Sequence, residues 1–187
     1  MSVKAQYLQE FISVFVIYTL SFYCVDYFIM PIQTIHLPNV SEHCCLLFIP
    51  HAVRVLTIWL YGARGLLYLL VVAQFSYYVV YDNHPTSYLH FLSPFVAPVA
   101  VFTWFEFFKR FGSDPYHIGN WKILILIGVL SSITNGFILG LIYGFQENSA
   151  IITLYYTIGD FNGVLLVLLL MMSYFKLERI FSKNNSI

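Results

Sequence analysis

The sequence predicts an all-α protein: one polytopic integral membrane bundle of six transmembrane helices, residues 1–187, with the N-terminus and the C-terminus cytoplasmic. Three observations predict it. Of the 187 residues, 59% are hydrophobic and only 10% are charged, and mean hydropathy is +0.76. A water-soluble domain carries about a quarter charged residues, so this chain has too little polar surface to coat a soluble globule. Second, the apolar residues fall into six runs, at about 11–31, 45–62, 65–81, 89–108, 122–144 and 150–175. Each is near the ~20 residues that cross a bilayer as a helix. Third, the basic residues sort by loop. With the N-terminus inside, Lys4, Arg64, Lys109, Arg110, Lys122, Lys176, Arg179 and Lys183 all fall on the cytoplasmic side and none on the other, as the positive-inside bias requires. Trp59, Trp104 and Trp121 fall near cytoplasmic ends of spans, where amphipathic rings settle.

The first run follows Lys4 and Glu10 and lacks a short-residue cleavage site, so it is expected to stay as a permanent span rather than leave as a signal peptide. No soluble domain is expected before it or after the sixth span.

The second run, within "IPHAVRVLTIWLYGARG", is unusual. Pro50 suits a first helical position, where its missing N–H costs nothing. A helix from Pro50 to Tyr61 would be only ~18 Å long, short of ~30 Å of hydrocarbon. Residues 44–49 must cover the rest, either as a kinked extension of the helix or as a non-helical lead-in. Non-helical backbone at depth is tolerated only against protein or a water-filled cavity.

Turn formers in "GARG" and "DNHPTS" close the second and third runs. The fourth carries Pro94 and Pro98 on one face and is expected to bend. The fifth has a small residue every four positions: Gly128, Ser132, Gly136, Gly140 and Gly144. The sixth adds Gly159 and Gly163. Such spacing lets helix backbones approach closely, either within the chain or in an oligomer.

The functional question lies in the charges inside the membrane. A mid-bilayer arginine costs about 2.5–3.5 kcal/mol on insertion scales. Arg54 stands near mid-depth with His51 one turn above it, Asp26 in the outer half of the first span and Asp160 ten residues into the sixth. Such groups face the bundle interior and pair with one another. Arg54 is therefore expected to neutralise Asp160 or Asp26, its planar fork being suited to a carboxylate. Two readings follow: a structural ion pair fixing helix register, or a polar pocket open to the outside that binds an anionic or zwitterionic small molecule. A proton or ion pathway would need acids across the whole depth. Within the six runs Glu106 is the only acid near the inner face, beside Lys109 and Arg110, and a local salt bridge explains it.

Other classes are excluded. Net charge is zero, which leaves no footprint for nucleic acid. His36, Glu42, His43, Cys44 and Cys45 match no metal-ligand spacing, and the three cysteines form no disulfide framework. G-x-S-x-G, H-E-x-x-H and phosphate-loop motifs are absent, so no enzyme, metal or cofactor is expected. Tyr77, Tyr78, Tyr81, Tyr155 and Tyr156 read as an interfacial belt.

Two stretches carry a family resemblance. Pro50 followed by Leu60, Gly62 and Arg64 in "IPHAVRVLTIWLYGARG" resembles a span of the bacterial membrane-associated sensor domains of the MASE type, first class. "YYTIGDFNGVLLVLLLMM" is similar to that family's late helix, through Gly159, Asp160, Gly163, Val164, Leu165 and Leu166. The resemblance covers about residues 40–175. It implies a multi-span sensory module in a bacterial inner membrane, with the second and sixth spans in one functional core. Such domains are normally fused to histidine-kinase or diguanylate-cyclase outputs; here no output domain is expected, and His51 and Arg54 stand where the family is expected to have small and apolar residues. The expected function is thus a sensor-like or small-ligand-binding membrane module in signal transduction, working through a protein partner in the membrane or cytoplasm. The alternatives are a substrate-binding subunit of an energy-coupling-factor-type uptake transporter and an accessory or scaffold subunit of a membrane complex.

Overall fold

A computed structural model describes residues 3–38, 45–81, 88–117, 120–142 and 149–184, and their regular elements are helical. Six helices follow the six predicted runs in order. They are α1 (Val3–His36), α2 (Ile49–Tyr61), α3 (Ala63–Tyr81), α4 (Tyr88–Arg110), α5 (Trp121–Ile142) and α6 (Ser149–Asn184). Among the described residues four contain a stretch long and apolar enough to cross a membrane: α1, Phe91–Arg110 of α4, α5, and Thr153–Tyr174 of α6. Length and composition make the chain an integral membrane protein.

The outer surfaces fit that solvent. Leu8, Ile12, Val16 and Leu20 of α1 are exposed, as are Leu67, Val71, Phe75 and Val79 of α3. Both sets repeat every four residues, so each forms one apolar stripe along its helix. A soluble protein rarely exposes such continuous patches; here they meet lipid.

Within α1 a π-helical turn, Val25–Ile29, separates α-helical Val3–Cys24 from Met30–His36. Pro31 is the cause we assign. It lacks an N–H and its ring crowds the carbonyl four residues back, and a single π turn absorbs that mismatch without breaking the rod. By contrast Pro94 and Pro98 both lie inside the unbroken helix α4.

Helix α2 is the hub. It has only 13 residues, about 20 Å, yet it packs against all five other helices. Eight of its side chains are buried, including His51, Arg54 and Thr57. It ends at Gly62, whose φ of 57° and ψ of −133° lie where a side chain is strained. The chain reverses there into α3, and a Cβ on Gly65 would stand 2.5 Å from Thr57 O, so the two helices leave the turn in backbone contact.

Of the two routes open for the start of this span, the structure takes the non-helical one: residues 45–48 form a lead-in before α2 begins at Ile49. Buried polar backbone needs partners, and the lead-in has them. Leu46 N donates to Gln33 Oε1 at 2.7 Å, and Leu46 O accepts from Asn162 Nδ2 at 2.9 Å. Phe48 N donates to Gly159 O at 2.9 Å, and Phe48 O accepts from His51 N at 3.2 Å. A Cβ on Gly159 or Gly163 would collide with Cys45 O or Phe48 O. The two glycines of α6 therefore admit the lead-in, not another helix. Gln33→Leu or Asn162→Leu would strand one polar group of Leu46, and each is expected to cost about 1–3 kcal/mol in denaturant unfolding in detergent. Together they should cost less than the sum, because both act through one peptide unit.

The stripe on α5 is used inside the chain. A Cβ on Gly128 would meet Val164 Cγ1 at 3.1 Å, one on Gly136 would meet Thr153 O at 3.0 Å, and one on Gly140 would meet Thr153 Oγ1 at 2.8 Å. All three neighbours belong to α6. Gly144 lies outside the described residues, as do Glu42, His43 and Cys44 of the first loop. At the end of α4, Lys109 Nζ stands 3.8 Å from Glu106 Oε1, the local pairing expected. Tyr116, in the following loop, donates its hydroxyl to Glu106 at 3.3 Å; burial and the neighbouring carboxylate push its phenol up to about 12.

Candidate functional site

Among the described residues one histidine, one aspartate and one arginine are buried in the bundle: His51 at 0% exposure, Asp160 at 1% and Arg54 at 6%. His51 and Arg54 are three residues apart, so they lie on one side of α2, a turn apart. The lead-in fixes how deep that turn sits.

His51 faces α5 and α6. Its Nε2 lies 3.2 Å from both Ser131 Oγ and Ser132 Oγ and 3.3 Å from Gly128 O. Both hydroxyls also donate to Gly128 O, at 3.0 and 2.7 Å. Hydroxyls rotate, so this group serves a ring nitrogen as donor or acceptor. The other nitrogen, Nδ1, stands 3.5 Å from Asp160 Oδ2. Asn135 Nδ2 donates to the same oxygen at 3.0 Å. Asp160 is thus held from one side by α2 and from the other by α5.

The expected pairing of Arg54 with Asp160 or Asp26 is corrected by this geometry. Among the described residues no carboxylate lies within 4.0 Å of Arg54. Its Nε donates instead to Tyr18 OH on α1 at 2.7 Å, and the guanidinium carbon lies 5.6 Å from the Tyr18 ring centroid and 5.3 Å from that of Phe48. Aromatic faces attract a cation, and a weakly hydrated, planar guanidinium accepts such a berth more readily than an ammonium would. The aspartate that sequence reasoning gave to Arg54 goes to His51. Asp26 sits half-buried on the π turn and pairs with no described cation.

Polar satisfaction sharpens the picture. The sealed polar side-chain atoms without a hydrogen-bond partner, among the described residues, are His51 Nδ1, Asn135 Oδ1 and both amide atoms of Gln74. The terminal nitrogens of Arg54 and the Oδ1 oxygen of Asp160 are not among them. Neither has a described hydrogen-bond partner, since Arg54 bonds through Nε and Asp160 through Oδ2. These atoms therefore carry the small residual exposure of their residues. The unengaged atoms of the two opposite charges are thus the part of the centre that is not fully enclosed.

Tyr18, Phe48, Ser131 and Asn135 were not singled out from sequence. Asn135 had a signal: an amide in the middle of an apolar span marks an interhelical contact. Tyr18 and Phe48 had none, being two aromatics among 36. Comparison with protein-family models, with curated proteins and with solved structures finds no match to this chain.

Proposed function

We propose that this chain is a sensor-like, small-ligand-binding membrane module that acts through a partner protein, with Arg54 as the anchor for an anionic or zwitterionic ligand. One observation carries the reading. Arg54 is nine-tenths buried, bonded at Nε and close to the rings of Tyr18 and Phe48, while its terminal amino groups bond to no described residue. An arginine needed only as a register pin would have its fork closed on a carboxylate, because unmet donors in a dry interior are costly. The resemblance to MASE-type sensor domains supports the same core, α2 with α6. Arg54 departs from that family's pattern and makes the ligand chemistry specific to this chain. The small residues of α5 face α6 within the chain, which weakens the scaffold alternative.

In this reading all six helices cross, with both termini on the cytoplasmic side of a bacterial inner membrane. The distribution of basic residues supports it, and the lead-in supplies the length that α2 lacks. No chemistry on the ligand is involved.

The test is thermal unfolding of the purified protein in nanodiscs against a library of small carboxylates and zwitterions. A ligand at 100 times its Kd stabilises the folded state by about 2.7 kcal/mol. At least one compound is expected to raise Tm in the wild type and to lose that effect in Arg54→Gln. A flat response across the library, or an identical response in both proteins, would sink the reading.

A further inference from the structure

The ligand class can be narrowed, on the footing that Arg54 is the anchor. We infer that the site takes a net-neutral zwitterion carrying both a carboxylate and an ammonium, of the amino-acid kind. Arg54 receives the carboxylate and Oδ1 of Asp160 receives the ammonium.

The argument is one of charge and of free atoms. Arg54 carries a fixed positive charge and Asp160 a negative one, and with His51 as the neutral imidazole the centre sums to zero. Among the described residues the charged groups that face it are few. Arg54 comes from α2 and Asp160 from α6. Tyr18 from α1 and Cys45 from the lead-in are neutral in their protonated forms, and α5 contributes only Ser131, Ser132 and Asn135. Bringing a lone carboxylate into this centre leaves one uncompensated negative charge in a low dielectric, and a lone ammonium leaves a positive one; both are costly. A zwitterion leaves neither.

The free atoms match. The terminal N–H groups of Arg54 are donors that suit a carboxylate in a two-bond geometry. Asp160 Oδ1 is an acceptor that suits an ammonium. The second oxygen of Asp160 is already fixed by Asn135 at 3.0 Å and by His51 at 3.5 Å, so the carboxylate cannot swing round to close on Arg54. Asn135 and His51 are thus positioning residues: they keep the two charges apart and hold Oδ1 outward. Gly159 adds a second constraint. It precedes Asp160, and it carries the bond from Phe48 N, so the stretch that packs Phe48 on Arg54 also sets the height of Asp160.

Isothermal titration of the protein in nanodiscs against matched series tests this. The zwitterions are glycine, β-alanine, γ-aminobutyrate and the L-α-amino acids. Controls are the acids and amines that lack one of the two groups: acetate, propionate and butyrate, and methylamine, ethylamine and propylamine. The expected result is a zwitterion that binds at least about tenfold more tightly than its matched acid and its matched amine, as loss of one charge-assisted pair requires. Arg54→Gln should abolish binding of zwitterion and acid alike. Asp160→Asn should erase the advantage of the zwitterion while retaining the acid. If the acid binds wild type as tightly as the zwitterion does, the zwitterion inference falls and the Arg54 anchor stands. If no member binds, both fall. The wild-type comparison decides the question even where a variant fails to fold.

Discussion

Gly163→Ala is expected to lower stability by about 3 kcal/mol. The new Cβ would stand against Phe48 O, a backbone atom in a stretch pinned by bonds to Gln33, Gly159 and Asn162. Nothing there can rotate aside. Gly128 provides the contrast. Its nearest neighbour is a methyl group of Val164 at 3.1 Å, which can yield by a few tenths of an ångström, so Gly128→Ala should cost markedly less. Gly112→Ala isolates the backbone effect alone: its φ is +80° with no atom within 4 Å of a new Cβ, and about 1 kcal/mol is expected. Denaturant unfolding in mixed micelles would rank the three. If Gly163→Ala proves no worse than Gly112→Ala, the lead-in does not lie in contact with α6.

Asp160→Ala is the other large expected effect. It removes the acceptor for Asn135 Nδ2 and the partner of His51 Nδ1. It also leaves the guanidinium of Arg54 without a counter-charge inside the bundle. Breaking one side of a buried charge arrangement costs about 3–5 kcal/mol. His51→Ala is expected to be milder, since the ring bears no obligatory charge. The double variant should then fall short of additivity by about 1–3 kcal/mol, as contacting residues do. A coupling between His51 and Asp160 below about 0.5 kcal/mol would show that the two do not meet, and with it the geometry of the whole centre would fail.

Much of the architecture was legible because hydropathy and charge are read by the same bilayer that the helices occupy. Helix α2 is the clearest case. Pro50 and the shortness of the run left two routes open, a kinked extension of the helix or a non-helical lead-in, and residues 45–48 take the second. What spacing could not tell was what lies on a small-residue face. Gly159 and Gly163 share the four-residue period of α5, yet they admit extended backbone where α5 admits a helix. A period records the absence of side chains on a face and is silent about the visitor.

The site was half legible for a similar reason. Composition showed that a buried arginine needs company, and His51, Arg54 and Asp160 do come together. Which of the two α2 residues meets the aspartate depends on the depth of one helical turn. That depth is set by Gly159 and Phe48, through a hydrogen bond between backbones. Backbone bonds leave no mark in side-chain chemistry, so the sequence assigned the aspartate to the stronger base. Tyr18 was hidden for another reason: a hydroxyl at the end of an apolar ring is invisible to any count of charge.

The brevity of α2 has a consequence for biogenesis. Thirteen residues that include a guanidinium make a poor client for the translocon, which admits helices to lipid by their own hydrophobicity. Gly62 joins this segment to the longer α3 with a single residue between them, so in the six-span topology proposed above the pair would enter as a hairpin whose second arm carries the first across. The polar centre is then assembled only when α6 emerges from the ribosome, nearly a hundred residues later, and until that moment Arg54 has Tyr18 as its berth.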